Sequence, residues 1–186
     1  MANYPQLDDC SGVWTLKQVN DAVMGGYWRN HSSRGIFSGG DTGSAINVID
    51  FVTLASAGNA SDFGDMTGTR KHQSAISSHT RHIHLAGGTP SITNVMDYVT
   101  IMTQGNAADF GDISANTNFV TGASNSIRGL RMGGATPSVV NIIEYVTMAS
   151  VGNTTDFGNL TQSVQEPQSV VSPTRAIRCG GSTGSY

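Results

Sequence analysis

The sequence predicts an all-β protein assembled from one unit repeated every 47 residues. Three observations carry that reading. Asp-Phe-Gly begins at Asp62, Asp109 and Asp156, spaced by 47 both times. Arg34, Arg81, Arg128 and Arg175 keep the same period, each followed within eight residues by a Gly-Gly pair. Gly58-Asn59, Gly105-Asn106 and Gly152-Asn153 match as well, as do Asn47, Asn94 and Asn141. An aromatic follows an acid in every copy: Asp50-Phe51, Asp97-Tyr98 and Glu144-Tyr145. A fixed period of this length marks a repeat architecture, in which each unit is a small supersecondary element. The second Arg-to-Gly-Gly segment reads as one residue longer than the others, with the register restored before Asn94.

The chain opens on a segment, residues 1–30, that lies outside the repeat. Trp14, Leu16, Val19 and Val23 stand at helical spacing and Gly25-Gly26 is a natural stop. This predicts a short amphipathic helix over 13–24, docked on the first unit or serving as a peg into a larger assembly. The β-repeat domain is 31–186, with units at about 34–80, 81–127 and 128–174 and a final strand at 175–181.

Each unit reads as four strands. The first is Arg-Gly-Ile-Phe-Ser in copy one, ended by Gly39-Gly40, where no Cβ obstructs a tight turn. The second runs from Asn47 to Ala55, and from Asn141 to Ala149 in copy three. It is rich in β-branched and aromatic residues, with Asp50 or Glu144 set among apolar neighbours. Gly58-Asn59 and its equivalents suit the positive φ angles of a hairpin turn. The third strand carries Asp-Phe-Gly and is broken by Gly64 or Gly111. A fourth, weaker strand includes Ser74 to Ser77, before a polar turn at Ser78-His79-Thr80.

Four strands per unit with a recurring Gly-Gly and aromatic are a propeller-blade signature. The succession Arg-Gly-x-x-x-Gly-Gly, Asn-x-Ile-x-Tyr-Val-Thr and Gly-Asn-x-x-Asp-Phe-Gly-Asp covers Arg34 to Gly181. It resembles the Kelch-like repeats of tailed-bacteriophage virion proteins. Gly12-Val13-Trp14-Thr15-Leu16 is similar to the start of phage appendage proteins. Trp14 and Trp28 both precede the array, unlike the Trp of a standard Kelch blade. The resemblance implies a Kelch-like β-propeller-type fold in a non-catalytic structural protein of a tail, tail tip, fibre or capsid surface. It would be assembled in the host cytoplasm and incorporated into the virion.

Propellers close with about 4–8 blades, and four copies of the first strand accompany only three of the rest. The spare strand leaves an unpaired edge, which predicts a homo-oligomer in which it completes a sheet of a neighbouring subunit. A β-trefoil or β-prism, closing three units within one chain, is the alternative. Partners are then other copies and other virion proteins. In an adhesin reading, a host-surface glycan or protein is added.

Composition excludes other classes. Charged residues are 12% of the chain, against roughly 25% in ordinary domains, so hydroxyls and amides wet the surface. The net charge is −3 and the longest basic run is Arg70-Lys71. Nucleic-acid binding needs clustered cations, so no nucleic-acid partner is expected. No apolar stretch approaches the ~20 residues of a membrane span, so no membrane insertion is expected. Met1 to Asp9 lacks the basic and apolar regions of a signal peptide. Cys10 and Cys179 read as free thiols, consistent with folding in a reducing cytoplasm.

The motifs that suggest chemistry lose it on recurring. Asp-Phe-Gly is a kinase metal motif only beside a Gly-rich loop, a strand Lys and a His-Arg-Asp loop. Here Phe fills the core, and Asp and Gly shape a turn. Asp62, Asp65, Asp109, Asp112 and Asp156 lack the alternate-position oxygens of a calcium loop and read as turn caps. Each recurring Arg is expected to pair with an Asp of its own or the next unit. His82 and His84 share a strand face and could hold a metal as a His-x-His pair. Their counterparts, Gly35 and Phe37 or Gly129 and Arg131, favour drift on an exposed face, as does His79. No Gly-x-Ser-x-Gly elbow occurs, and glycosidase chemistry needs paired carboxylates at one cleft. No catalytic, cofactor-binding or metal-ligating residue is therefore assigned, no cofactor is expected, and the protein is read as a non-enzyme.

Overall fold

The structure is a computed structural model that describes residues 15–17, 20, 34–88 and 91–184. The chain divides into two compact units, 1–31 and 32–186. The helix expected over 13–24 falls mostly outside the described residues; within it Leu16, Lys17 and Asn20 have helical backbone. The second unit is all-β, built from antiparallel sheets, none of which closes on itself.

The first sheet orders β1 (Arg34–Ser38), β2 (Ile46–Thr53) and β3 (Ser61–Arg70). The second orders β4 (Ser74–Ser77), β5 (Arg81–Leu85), β6 (Val95–Thr100) and β7 (Ala108–Asp112). The third uses β8 (Thr121–Ser124), β9 (Arg128–Met132), β12 (Ile142–Thr147) and β13 (Thr155–Asn159). A small hairpin, β10 (Ala135–Thr136) with β11 (Ser138–Val139), interrupts it. The last sheet has two strands, β14 (Gln168–Val171) and β15 (Ala176–Cys179).

Sheet and sequence unit are out of phase. The strand expected to end a unit, β4, pairs with β5 and not with β3, so each unit contributes its last strand to the following sheet. That covalent step, repeated at β8 and β14, ties every sheet to its predecessor. Side chains then weld the sheets into layers. One apolar slab joins Ile49, Phe63 and Met66 to Val99 of the second sheet. Another joins Ile76, Ile83, Leu85, Met96 and Phe110 to Val146 and Met148 of the third.

Two sequence expectations are corrected. Asp-Phe-Gly forms a β-bulge within the strand, not a turn. Ile49 and Asp50 are adjacent on β2, yet they face Gly64 and Asp62 on β3, leaving Phe63 as the extra residue. The same skip occurs at Phe110 and Phe157. Gly64, Gly111 and Gly158 take φ of 143°, 137° and 136°, a region that only glycine enters freely. The strand continues through Gly64 to Arg70.

The second correction concerns the apparent extra residue before Gly87-Gly88. Ala86 has φ 52°, matching Gly39, Gly133 and Gly180 at 60°, 63° and 62°. There is no insertion: Ala86 replaces the first glycine of the pair and accepts a left-handed backbone, at roughly 1 kcal/mol for an L-residue.

Candidate assembly surface

The recurring residues are stitches between layers, and their chemistry follows from where each reaches. Among the described residues none of the recurring arginines pairs with an Asp. Arg34, Arg81 and Arg128 lie over Phe51, Tyr98 and Tyr145, with the guanidinium carbon 4.6, 4.7 and 4.4 Å from the ring centroid. Each of these rings meets the bulge Phe of its own sheet edge-on, at 5.8, 5.8 and 6.2 Å. Flat and weakly hydrated, a guanidinium suits an aromatic face. Its free N–H then reaches forward: Arg34 Nη1 donates to the Ile101 carbonyl at 2.8 Å, and Arg81 Nη1 to that of Met148 at 3.1 Å.

The Gly-Asn pairs reach backward. Gly105 N and Ala107 N donate to the carbonyls of Phe63 and Asp65 at 2.9 and 2.7 Å. Asn106 Oδ1 accepts from Asp65 N at 3.1 Å. One layer on, Gly152 N and Thr154 N donate to Phe110 and Asp112, and Asn153 Oδ1 accepts from Asp112 N at 3.0 Å. The pair therefore blunts the free edge of the preceding sheet, which otherwise offers a row of unpaired backbone groups. This corrects the hairpin-turn expectation: the β2–β3 connection spans 54–60, and Gly58 is not among the positive-φ glycines, although Gly105 and Gly152 are. A Cβ on Gly64 or Gly111 would stand 2.5 Å from the Gly105 or Gly152 carbonyl oxygen.

The acid among apolar neighbours is the third stitch. Asp97 Oδ2 accepts from Thr67 N at 2.9 Å, and Glu144 Oε1 from Ser114 N at 3.2 Å. Asp97 is fully buried, forming an ion pair with Arg70 and bonding His84 Nδ1 at 2.8 Å. Burial opposes its charge, but the His84 bond, the Arg70 cation and Thr67 outweigh this and hold the carboxyl at about 2. Next in the stack, Arg131 Nη1 stands 3.6 Å from Glu144 Oε2 while its Nη2 donates to Thr117 Oγ1 at 2.8 Å. Burial lowers the Arg131 pKa, against the pull of Glu144.

His82 and His84 are not exposed, contrary to the sequence expectation. They are 8% and 0% accessible, because the second sheet is covered on both faces. Their rings meet at 4.8 Å. His82 Nδ1 bonds Ser77 Oγ at 2.8 Å, and burial, with His84 beside it, drives the His82 ring down to about 3 despite Asp97. Nε2 of neither ring has a hydrogen-bond partner among the described residues. No group of three metal-ligating side chains occurs among those residues. His79 is exposed in its turn, where Ser78 Oγ accepts from Thr80 N and Arg81 N.

The remaining sequence candidates scatter. Asp62, Asp109 and Asp156 are exposed at the mouths of the bulges. Cys179 is a free, exposed thiol, and Cys10 lies outside the described residues. No helix among the described residues is long and apolar enough to cross a membrane. Arg70-Lys71-His72 splits by role: Arg70 is buried, whereas Lys71 pairs with Asp41 at 2.5 Å. One feature was invisible in the sequence. His72, Phe119 and Glu166, 47 residues apart, have φ of 56°, 57° and 53°. Phe119 N donates to the His72 carbonyl and Glu166 N to that of Phe119, both at 2.9 Å. The residue types differ, so only the backbone reveals the ladder.

Among the described residues the stitching stops at two faces. Phe63 and Phe110 are 2% and 1% exposed, whereas Phe157 is 51% exposed and nothing lies within 4 Å of a Cβ built on Gly158. Beside it a groove of about 470 Å³ runs between the third sheet and the two-stranded sheet, lined by Arg128, Phe157, Leu160 and Val171 among others. At the other end Leu54 is 68% exposed, while its equivalents Ile101 and Met148 are 3% and 1% exposed. No protein-family model matches this chain, and no curated protein matches it either.

Proposed function

We propose that the chain is a non-catalytic structural protein of a phage virion, part of a tail, tail tip, fibre or capsid-surface assembly, and that it works as a homo-oligomer. In this reading its sheets are blades of a Kelch-like, propeller-type array to which other copies add. The observation that carries the reading is the stack itself: its recurring polar residues and its aromatics are spent on holding layer to layer. Quasi-one-dimensional arrays of this kind need their outer layers capped, and here two outer faces carry the same aromatic and aliphatic side chains that neighbours cover elsewhere. The low charge and the repeat resemblance supply the virion context. The test is to locate the protein in purified particles by mass spectrometry and labelled imaging. Its presence in ordered copy number supports the reading; its confinement to the host cell, absent from particles, defeats it.

An adhesin reading has one observation in its favour. The ladder of His72, Phe119 and Glu166 borders a groove of about 490 Å³, and its side chains vary while its backbone is held constant. Such a surface offers exchangeable contacts on a fixed frame, which suits a host glycan or protein. Binding of purified protein to host cells, lost on combined replacement of His72 and Glu166 by Ala, separates this from a purely structural role.

A further inference from the structure

We propose that copies of this chain join head to tail, the Gly58-Asn59 loop and Leu54 of one protomer seating on β13 of the next. The two faces are complementary by construction, because the chain already makes this joint twice internally. On each internal joint the Gly N donates to a bulge Phe carbonyl, the N–H of the residue after the Asn donates to the carbonyl two residues on, and the Asn oxygen accepts in return. Translated by one unit, Gly58 N meets the Phe157 carbonyl, Ala60 N the Asn159 carbonyl, and Asn59 Oδ1 the Asn159 N–H. The arginine stitch translates too, with Arg128 donating to the Leu54 carbonyl as Arg34 does to Ile101 and Arg81 to Met148.

Among the described residues, the groups that make the Gly-Asn and arginine stitches of this joint are in place and exposed. Leu54 and Phe157 are 68% and 51% exposed, residues 57–60 are exposed, and Arg128, unlike Arg34 and Arg81, is exposed over its ring. The contact is heterologous, joining two different patches, so it propagates into a ring or a filament according to the rotation per sheet. In the fourth layer β15 stands where β1 of the incoming copy belongs. β15 and β1 are each held by a single ladder, and in β15 Ile177 and Cys179 are exposed. In contrast, Arg34 and the Gln73 bond to the Ser38 carbonyl anchor β1. β15 is therefore the strand that yields, leaving β14 to pair with the incoming β1 as β4 pairs with β5. The inference rests on the self-assembling part of the proposed function and not on a place in a virion.

The test uses the full chain and two variants, Leu54→Asp and Phe157→Asp, each at an exposed position where the lone fold is spared. Sedimentation velocity over a concentration series should show the unaltered chain growing into multimers. Each variant alone should self-associate at least about tenfold more weakly, since an Asp in a closing apolar contact must be desolvated. Mixed, they should form a one-to-one pair and stop there, because each keeps the face the other has lost. Hydrogen exchange on the multimer should show protection gained at Phe157–Asn159 and lost over β15. A chain that stays monomeric throughout overturns the inference, as do variants that associate normally or a mixture that fails to pair. Such a failure with the protein still found in particles leaves the structural reading standing; pairing without particle location does the reverse.

Discussion

Phe110 and Phe157 sit in the same bulge, on equivalent strands, beside equivalent tyrosines, and differ only in what lies beyond them. The first is 1% exposed under the third sheet; the second is 51% exposed over an open groove. Burial here belongs to the pair of neighbouring layers and not to the unit, as in any array stabilised by nearest-neighbour interfaces. Truncating each ring measures that difference directly. Phe110→Ala removes a filled position from the larger apolar slab and is expected to cost about 3–5 kcal/mol. Phe157→Ala is expected to cost under about 1 kcal/mol in the monomer, a half-exposed ring having little transfer energy to lose. Urea denaturation of both at a monomeric concentration checks the gap, and equal losses would show that the third sheet does not seal Phe110 as described.

Glycine gives a second, sharper version of the same comparison. Gly111 and Gly158 share φ near 137°, so replacing either by Ala incurs the same backbone strain. Only at Gly111 does the new Cβ meet a neighbour, the Gly152 carbonyl oxygen at 2.5 Å. Subtracting the two variants cancels the φ term and isolates the steric cost of the interlayer joint, expected at roughly 2 kcal/mol from the scale of overpacking penalties. Thermal melts of Gly111→Ala and Gly158→Ala provide the measurement. A vanishing difference means the Gly-Asn loop can lift away at no cost.

Much of this was legible from spacing alone, because identical residues at a fixed period need a shared local structure. The strands around Asp-Phe-Gly, the Arg-led first strand and the Ser74–Ser77 strand all occur where the pattern puts them. What spacing does not encode is direction. Nothing in Gly-Asn says that its amides point to the preceding sheet, or in Arg81 that it prefers Tyr98 and a distant carbonyl to an acid. His82 and His84 were misread for a related reason. A singular residue in a repeat resembles surface drift until the layers on either side are known to bury it. The ladder of His72, Phe119 and Glu166 was illegible altogether, since its common property is a backbone angle.

Acid acts on the buried seam. His82 ionises near 3 in the folded state but near the ordinary histidine value of 6.5 when unfolded. The unfolded chain therefore binds the extra proton first, and stability falls as pH drops below about 6.5. By pH 5 this one group is expected to remove on the order of 2 kcal/mol. Asp97 adds to the loss in stronger acid: its folded pKa of about 2 lies below the ordinary Asp value of 3.8, so its stabilisation is present above that value and disappears as pH falls toward 2. His82→Gln should flatten the slope between pH 6.5 and 5. Urea midpoints across that range decide the matter.

The smallest effect tests the stitching most selectively. Asn153 and Asn59 are equivalent side chains: one accepts from Asp112 N across a layer, and the other lies on the uncovered loop. Replacing Asn153 by Ala leaves the Asp112 amide without its acceptor at the rim of the joint, where water can partly substitute. The expected cost is therefore about 1 kcal/mol, the net worth of one hydrogen bond and not the larger penalty of a sealed one. Asn59→Ala should leave monomer stability within about 0.5 kcal/mol of the parent, as an exposed substitution does. The two should exchange ranks in self-association, because head-to-tail joining calls on Asn59 and leaves Asn153 inside a joint that is already made. Denaturation resolves the first ordering and sedimentation the second. If Asn59→Ala weakens neither quantity, the uncovered loop is only a loop, and the likeness between the inner joints and the outer faces ends at sequence.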